Sequence, residues 1–225
     1  MRRAVLFSGL ALLLAGCGSA AGGATTTTAA PVPPSSSAPV SSSAAPAVKD
    51  LATFMPSDAE VTGLGLDQYV QPVSYVIGST TPLRLVNVCG GAQPWDAAAK
   101  RGEQARAFGP GGEVWQLIAE YDGFTGAQVV AGVAKQALAC HTVTIEDGDY
   151  VVENEFAPVG KADAQYGFCA GYEGSKKLVR CVLLLAHGNR VTAITTKDTG
   201  SSGPKTQLAL LAKVSPVYAA AFAKD

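Results

Sequence analysis

Residues 18–48 limit what this chain can fold into, because they consist only of Gly, Ser, Ala, Thr, Pro and Val. A segment of this composition cannot bury enough apolar surface to form a core. We interpret it as a flexible tether, which as a random coil spans roughly 30 Å. The folded unit must therefore come from residues 49–225, a length typical of one domain.

The residues before the tether have the layout of a lipoprotein signal peptide. Arg2 and Arg3 precede a short apolar run that ends in Leu14-Ala15-Gly16-Cys17. The run is shorter than the ~20 apolar residues of a transmembrane helix, and small residues at its end are typical of a signal-peptidase site. We predict that residues 1–16 are removed and that Cys17, at the start of the tether (17–48), is acylated with chains such as palmitate. This anchor would hold the domain on the outer face of the cell membrane, in the cell envelope.

Charge and motifs exclude several classes of function. Two of the 17 basic residues precede residue 49 and all 18 acidic residues follow it, so the folded part has a formal charge of −3. A nucleic-acid binder needs a basic stripe, which the sequence lacks. The acidic run at residues 146–149 lacks the spacing of a calcium loop, and no nucleophile-elbow motif occurs. We interpret His141 and His187 as surface residues, and predict a protein without cofactor or metal that is not an enzyme.

Four cysteines remain once Cys17 is assigned to lipid: Cys89, Cys140, Cys169 and Cys181. An even number in an exported domain predicts two disulfides, with three possible connectivities. A zinc site is disfavoured because zinc ligands usually come in close pairs, whereas eleven residues separate even Cys169 from Cys181. Two disulfides imply an oxidising compartment.

Apolar periodicity predicts both strands and helices. The predicted strands are residues 71–77, 83–88, 113–121, 142–145, 150–153, 164–172, 178–186 and 190–196, with a hairpin turn at Asp147-Gly148. The predicted helices are a short one capped by Ser57 or Asp58 and ended by Gly63, residues 94–108, residues 126–140, and residues 206–223 with a kink or break near Pro216. In the second long helix the apolar face comprises Val129, Val130, Val133, Ala134, Ala137 and Leu138.

Strand pairing selects one disulfide connectivity. Folding the strands 164–172 and 178–186 about Ser175 places Cys169 opposite Cys181, and facing positions on antiparallel strands lie within disulfide reach. By elimination, Cys89 pairs with Cys140. The predicted fold class is therefore α+β, an antiparallel sheet packed with helices and closed by two disulfides.

Three aromatic residues are candidates for a ligand cleft: Trp95, Trp115 and Tyr121. Aromatic side chains belong more often to a core than to a ligand platform. We therefore favour packing for Trp115, and for Trp95 both interpretations stay open.

Several segments resemble the PknH-like family of extracellular sensor domains, which also occurs in actinobacterial lipoproteins. They are residues 51–60 with Gly63, the strand at residues 114–118, the helix ending at Cys140, Arg180-Cys181 with its apolar strand, and Gly188-Asn189-Arg190-Val191. The resemblance implies an antiparallel sheet and helices around a cleft, with the four cysteines paired in sequence order. It names no ligand and no binding residues.

These observations lead to two hypotheses of function. The first is a monomeric, lipid-anchored envelope protein whose non-enzymatic domain binds a small molecule or cell-wall component in a cleft. Such a site predicts a concave pocket of about 300 Å³ or more with a few polar groups. The alternative is an interaction or scaffold lipoprotein without a ligand, which predicts a flat, exposed apolar patch.

Overall fold

The computed structural model describes residues 49–66, 68–76, 83–145, 148–155, 161–172, 175–198 and 203–224. The predicted signal peptide, Cys17 and the tether lie outside these residues. So do Glu146 and Asp147, which join two strands of the predicted hairpin.

The described residues form nine strands and three α-helices. The strands are β1 (Gln68–Val76), β2 (Asn87–Val88), β3 (Ala99–Gly109), β4 (Gly112–Tyr121), β5 (Thr142–Ile145), β6 (Gly148–Glu155), β7 (Ala164–Tyr172), β8 (Ser175–His187) and β9 (Arg190–Lys197). The α-helices are α1 (Asp58–Gly63), α2 (Gly126–Cys140) and α3 (Gly203–Phe222), and 3₁₀-helices occupy Leu51–Phe54 and Asp96–Ala98.

All nine strands join one antiparallel sheet in the order β1-β3-β4-β9-β8-β7-β6-β5-β2. The predicted meander of β7, β8 and β9 is confirmed, and Cys169 lies directly opposite Cys181 in its register. Both predicted disulfides, Cys89–Cys140 and Cys169–Cys181, are present. The α+β fold class is confirmed.

The central strand β8 supplies both hydrophobic cores. Successive strand residues point to opposite faces of a sheet, so Leu183 and Leu185 pack on the α3 side while Val182 and Leu184 pack on the α2 side. All four are fully buried. The dense apolar run of residues 182–186 is therefore explained by helices on both faces of the sheet.

The two shorter α-helices begin with reciprocal capping boxes. Ser57 and Glu60 cap α1, and Thr125 and Gln128 cap α2. The predicted bounds of α2 are confirmed, as is the burial of Val129, Val130, Val133 and Ala137. The prediction that Leu138 belongs to this face is wrong. Leu138 is 50% exposed, because its position on the helix points away from the sheet.

Four other local predictions need correction. Residues 94–108 are not a helix, since β3 occupies most of this range and pairs with β1 and β4. Of the predicted strand at residues 83–88 only Asn87–Val88 has strand geometry. The last helix does not break at Pro216; α3 continues to Phe222. Finally, Gly148 of the predicted turn is a residue of β6 that pairs with Ile145, while Asp147 lies outside the described residues.

Candidate functional site

Two of the three aromatic candidates belong to the core. Trp95 is 8% exposed and packs against Gly132 of α2. Tyr121 is 2% exposed, and burial together with the nearby Asp96 carboxylate raises the pKa of its hydroxyl far above the usual range. Trp95 and Tyr121 both fill space in the α2-side core. Neither side chain is exposed enough to contact a ligand.

Trp115 differs because it is partly exposed. It lies on β4, opposite Arg106 of β3 and Thr195 of β9. Trp115 is separated from Ala119 and Tyr121 by an even number of strand positions, so it shares their side of the sheet, the α2 side. The preference for packing of Trp115 stays a prediction, since its ring is partly exposed while its Nε1 is buried.

Three cationic side chains surround the indole of Trp115. The guanidinium carbon of Arg106 lies 3.7 Å from the ring centroid, that of Arg180 lies 5.6 Å away, and the ammonium of Lys197 lies 5.9 Å away. Cations within about 6 Å of an indole are attracted by the negative face of the ring. We refer to Arg106, Trp115, Arg180 and Lys197 as the Trp115 surface.

The strand register explains how these distant residues meet. Arg106 faces Trp115 on neighbouring strands, and Arg180 faces Lys197 one row further along the sheet. Residues that face each other across antiparallel strands share one side of the sheet. Strands β3, β4, β9 and β8 therefore present one aromatic and three cationic groups on the same face.

Burial and charge distinguish the members of the Trp115 surface. Arg180 is 1% exposed, whereas Arg106 and Lys197 are partly exposed. Glu113, 6% exposed, faces Lys197 in the register of β4 and β9 and adds one carboxylate to the same region. Residues 49–225 as a whole have a formal charge of −3.

The residue types of this surface are ones that can hold an oxyanion. Arginine offers a planar fork of hydrogen-bond donors and lysine three donors, and neither side chain has an acceptor. The indole Nε1 of Trp115 is buried without a hydrogen-bond partner among the described residues. The arrangement favours binding over acid–base catalysis.

A second concave region lies between α1 and α3, on the other side of the sheet. A hollow of about 440 Å³ is lined by Glu60, Gly63, Leu64, Pro216, Val217 and Ala220. Leu64 also belongs to an adjoining hollow of about 240 Å³, which Lys213 borders. This α1–α3 groove is mainly apolar, and the charged residues that line it in the described part of the chain are Glu60 and Lys213.

The other predicted residues lie apart from the Trp115 surface. His141 ends α2 in a left-handed conformation and is exposed, and His187 lies beside the β8–β9 turn with Nδ1 4.0 Å from a carboxylate oxygen of Asp163. Cys169 and Cys181 are buried in the α3-side core, and Cys89 is exposed near the end of α2. Within the described ranges, no three His, Cys, Asp or Glu side chains are grouped to hold a metal ion. No helix in the same ranges is long and apolar enough to span a membrane.

Sequence reasoning missed the cationic members of the site. The predicted helix at residues 94–108 contains Arg106, the predicted strand at residues 178–186 contains Arg180, and Lys197 directly follows the predicted strand at residues 190–196. A period of two was available in Ala105 and Ala107, which alternate with Gln104 and Arg106, and it indicates a strand with a polar face.

Comparison with solved structures gives several partial likenesses, including the two that follow. No protein-family model and no curated protein matches the chain. The crystal structure of the extracellular domain of PknH from Mycobacterium tuberculosis is 14% identical, with a TM-score of 0.46 over 72% of this chain and 90% of that one. The structure of an uncharacterised Mycobacterium smegmatis protein, the Rv0999 ortholog, is also 14% identical, with a TM-score of 0.32 over 73% of this chain and 98% of that one. Membership of the sensor-domain family stays a prediction.

Proposed function

We propose that this chain is a lipid-anchored envelope protein whose domain binds a ligand at the Trp115 surface and catalyses no reaction. The observation that carries the binding role is the partly exposed Trp115 with three cations around its ring. The Leu-Ala-Gly-Cys17 sequence supports the anchor. The two disulfides support an oxidising location outside the cytoplasm.

The position of Lys49 is consistent with this function. Its carbonyl accepts a hydrogen bond from Arg101, which also pairs with Glu120 of β4. Glu120 is two strand positions from Ile118 and therefore lies, like Ile118, on the α3 side of the sheet, the side opposite Trp115. Lys49 thus contacts the α3 side of the sheet, whereas the Trp115 surface lies on the α2 side.

Native mass spectrometry of the full exported chain tests the binding role. We expect an additional mass on the native protein that disappears on denaturation and that is absent from the Trp115→Ala variant. A Trp95→Phe variant, altered in the core, is the matched control and should retain the mass. An identical ligand mass on the Trp115→Ala variant would place the site elsewhere, and a bare mass in every sample would count against ligand carriage.

Processing of the exported chain tests the anchor separately. Cys17→Ala is expected to abolish acylation and to release the domain from the membrane fraction or leave the signal attached. Stable anchoring needs at least two acyl chains, each buried methylene contributing about 0.8 kcal/mol. Unchanged mass and membrane retention in this variant would contradict the lipid anchor without bearing on the Trp115 surface.

The α1–α3 groove supports a second candidate function, the docking of another envelope protein. Its lining is mainly apolar, as is the buried centre of many protein contacts, although it is concave and not the flat patch expected for a docking module. Crosslinking in cells from a photoreactive residue at exposed Pro216 would capture such a partner. A specific partner here, together with a bare mass in the native spectra, would favour docking over ligand binding.

A further inference from the structure

We infer that the Cys89–Cys140 disulfide is a site of thiol–disulfide exchange, which an exported dithiol protein of the thioredoxin type opens while Cys169–Cys181 stays closed. Opening releases the segment at residues 83–96 from α2. The inference goes beyond the proposed function, since it requires export but no ligand at the Trp115 surface. It is carried by the exposure of Cys89, by the backbone at both ends of the bridge, and by the contacts that hold the segment.

The two disulfides lie in different surroundings. Cys89 is exposed in the turn that follows β2, and Cys140, the last residue of α2, is partly buried. Cys169 and Cys181 are buried in the α3-side core. Exchange requires that the attacking thiolate have access to a sulfur atom of the bridge. A folded partner can therefore approach the bridge at Cys89 without opening a core.

The backbone at both ends of the bridge is held in the left-handed region. Cys89 has a φ of 57°, and His141, which follows Cys140, has a φ of 54°. Residues with a β-carbon adopt this region rarely and at a cost, and they persist there where the surrounding structure holds them. Breaking the S–S bond removes the covalent constraint on Cys89 and lets its backbone leave this region, which favours the open form.

A carbonyl oxygen of α2 is placed to accept hydrogen bonds once the bridge is open. The backbone oxygen of Gln136 lies 3.3 Å from Sγ of Cys89 and 3.1 Å from Sγ of Cys140. A disulfide sulfur has no proton to donate, whereas a thiol is a weak donor. Reduction therefore turns these close approaches into S–H···O hydrogen bonds, which stabilise the reduced form.

The bridge fastens a segment that has little regular structure of its own. Within residues 83–96, the two residues of β2 pair with β5, and Arg84 pairs with Asp96 inside the segment itself. Val88 and Trp95 are buried in the α2-side core, and the bridge joins the segment covalently to the end of α2. Once the bridge is open, the short ladder and the apolar contacts must hold the segment, so it opens locally before the sheet unfolds.

The exchange balances without any further reagent. A thiolate of the partner attacks Sγ of Cys89 and forms a mixed disulfide, while the electron pair of the old S–S bond leaves on Sγ of Cys140, which takes up a proton. The second thiolate of the partner then attacks the partner sulfur of the mixed disulfide and releases Cys89, which is also protonated. Two electrons and two protons pass to the bridge, and the partner becomes a disulfide.

A trapping experiment tests the exchange. The probe is a thioredoxin whose second active-site cysteine is replaced by serine, so that it cannot resolve a mixed disulfide. The target is the chain from residue 17 onward, secreted with Cys17→Ser and with both disulfides formed. After acid quenching and alkylation, we expect a one-to-one covalent complex that peptide mapping assigns to Cys89. No complex, under conditions in which the probe captures a peptide with an exposed disulfide, would overturn the inference.

A double variant is the matched control for the trap. Cys89→Ser with Cys140→Ser removes the exposed bridge and keeps the buried one, and we expect capture to be lost completely. Capture that persists in this variant, or a map that assigns the complex of the parent chain to Cys169 or Cys181, would overturn the inference, because the probe would then react with the buried bridge.

Hydrogen exchange tests the release of the segment. In the double variant, and in the parent chain reduced at this bridge alone, we expect amides of residues 83–96 to exchange faster by about tenfold or more relative to those of β8. Reoxidation of the parent chain should restore their protection. An equal rise in both regions, or none at residues 83–96, would overturn the inference. The native mass spectra decide ligand binding separately, so either proposal can fail without the other.

Discussion

Gly132, in the middle of α2, lies against the six-membered ring of Trp95, so that a β-carbon at position 132 would overlap ring atoms Cζ3 and Cη2. Alanine is favoured over glycine within a helix by about 1 kcal/mol. Overpacking of a core typically costs about 1–3 kcal/mol, and the rigid, buried indole cannot move aside easily. We therefore expect Gly132→Ala to lower the free energy of unfolding by up to about 2 kcal/mol in urea titrations.

A double-mutant cycle separates the overlap from helix propensity. In a Trp95→Ala background the ring is absent, and Gly132→Ala should then stabilise the protein by about 1 kcal/mol, as helix propensity requires. The same destabilisation in both backgrounds would show that the ring does not explain the glycine.

The two disulfides should differ in their access to reductant. Cys89 is exposed, whereas Cys169 and Cys181 are 1% and 0% exposed. Thiol–disulfide exchange requires that a thiolate reach a sulfur atom. Mild reduction of the native protein, followed by alkylation and mass spectrometry, should therefore label Cys89 and Cys140 before the other pair. Labelling of Cys169 first would contradict the burial of that bridge.

Asp96 should make stability fall as pH rises above the ordinary range of aspartate. Its carboxylate accepts a 2.8 Å hydrogen bond from the Gln93 N–H and pairs with Arg84 at 3.1 Å. Burial nevertheless outweighs both contacts and raises the pKa of Asp96. The folded state thus binds the proton more tightly than the unfolded state, whose aspartate pKa is about 3.9. The resulting stabilisation is present below that value and is lost as pH rises through the folded-state pKa.

The matching measurement is the free energy of unfolding of the wild type and Asp96→Asn between pH 3 and pH 7. Asn can still accept from Gln93 and has no proton to lose. The stability of the variant relative to wild type should increase with pH and then level off. Asp122→Asn, which removes an exposed carboxylate on the neighbouring strand end, is the control. A difference between Asp96→Asn and wild type that does not vary with pH would contradict this account.

Replacing Pro216 by alanine should stabilise the protein. Pro216 is exposed within α3 and cannot donate the backbone hydrogen bond that a helical residue makes to the carbonyl four positions earlier. Proline is about 3 kcal/mol less favourable than alanine inside a helix, and the greater freedom of the unfolded chain offsets only about 1 kcal/mol of this. We expect a higher melting temperature and more helical circular dichroism. A lower melting temperature would show that packing of α3 depends on the proline.

The parts of the fold that were predictable are those in which local pattern and tertiary role agree. The β7–β8–β9 meander combines apolar strands with short turns, and a turn near Ser175 already places Cys169 opposite Cys181. In β3 the local pattern and the tertiary role disagree, since its alanines, glycines and charged residues have little strand propensity. It becomes a strand because β1 and β4 pair with it on both sides.

The candidate site was less accessible to sequence reasoning for the same reason. Trp115 was singled out, but its neighbours Arg106, Arg180 and Lys197 are brought to it by the register of four strands. Those strands are adjacent in the sheet and not in the chain. Once β3 is treated as a helix, Arg106 cannot be placed beside Trp115.

Arg101 also determines where a mechanical load enters the domain. It holds the Lys49 carbonyl and pairs with Glu120, and the next residues form the 3₁₀-helix in which Leu51 and Phe54 are buried. A pull on the chain before Lys49 therefore acts on β3 and β4, which are inner strands of the sheet. The force is shared by rows of backbone hydrogen bonds on both sides of these strands, and it does not peel an edge strand away one bond at a time.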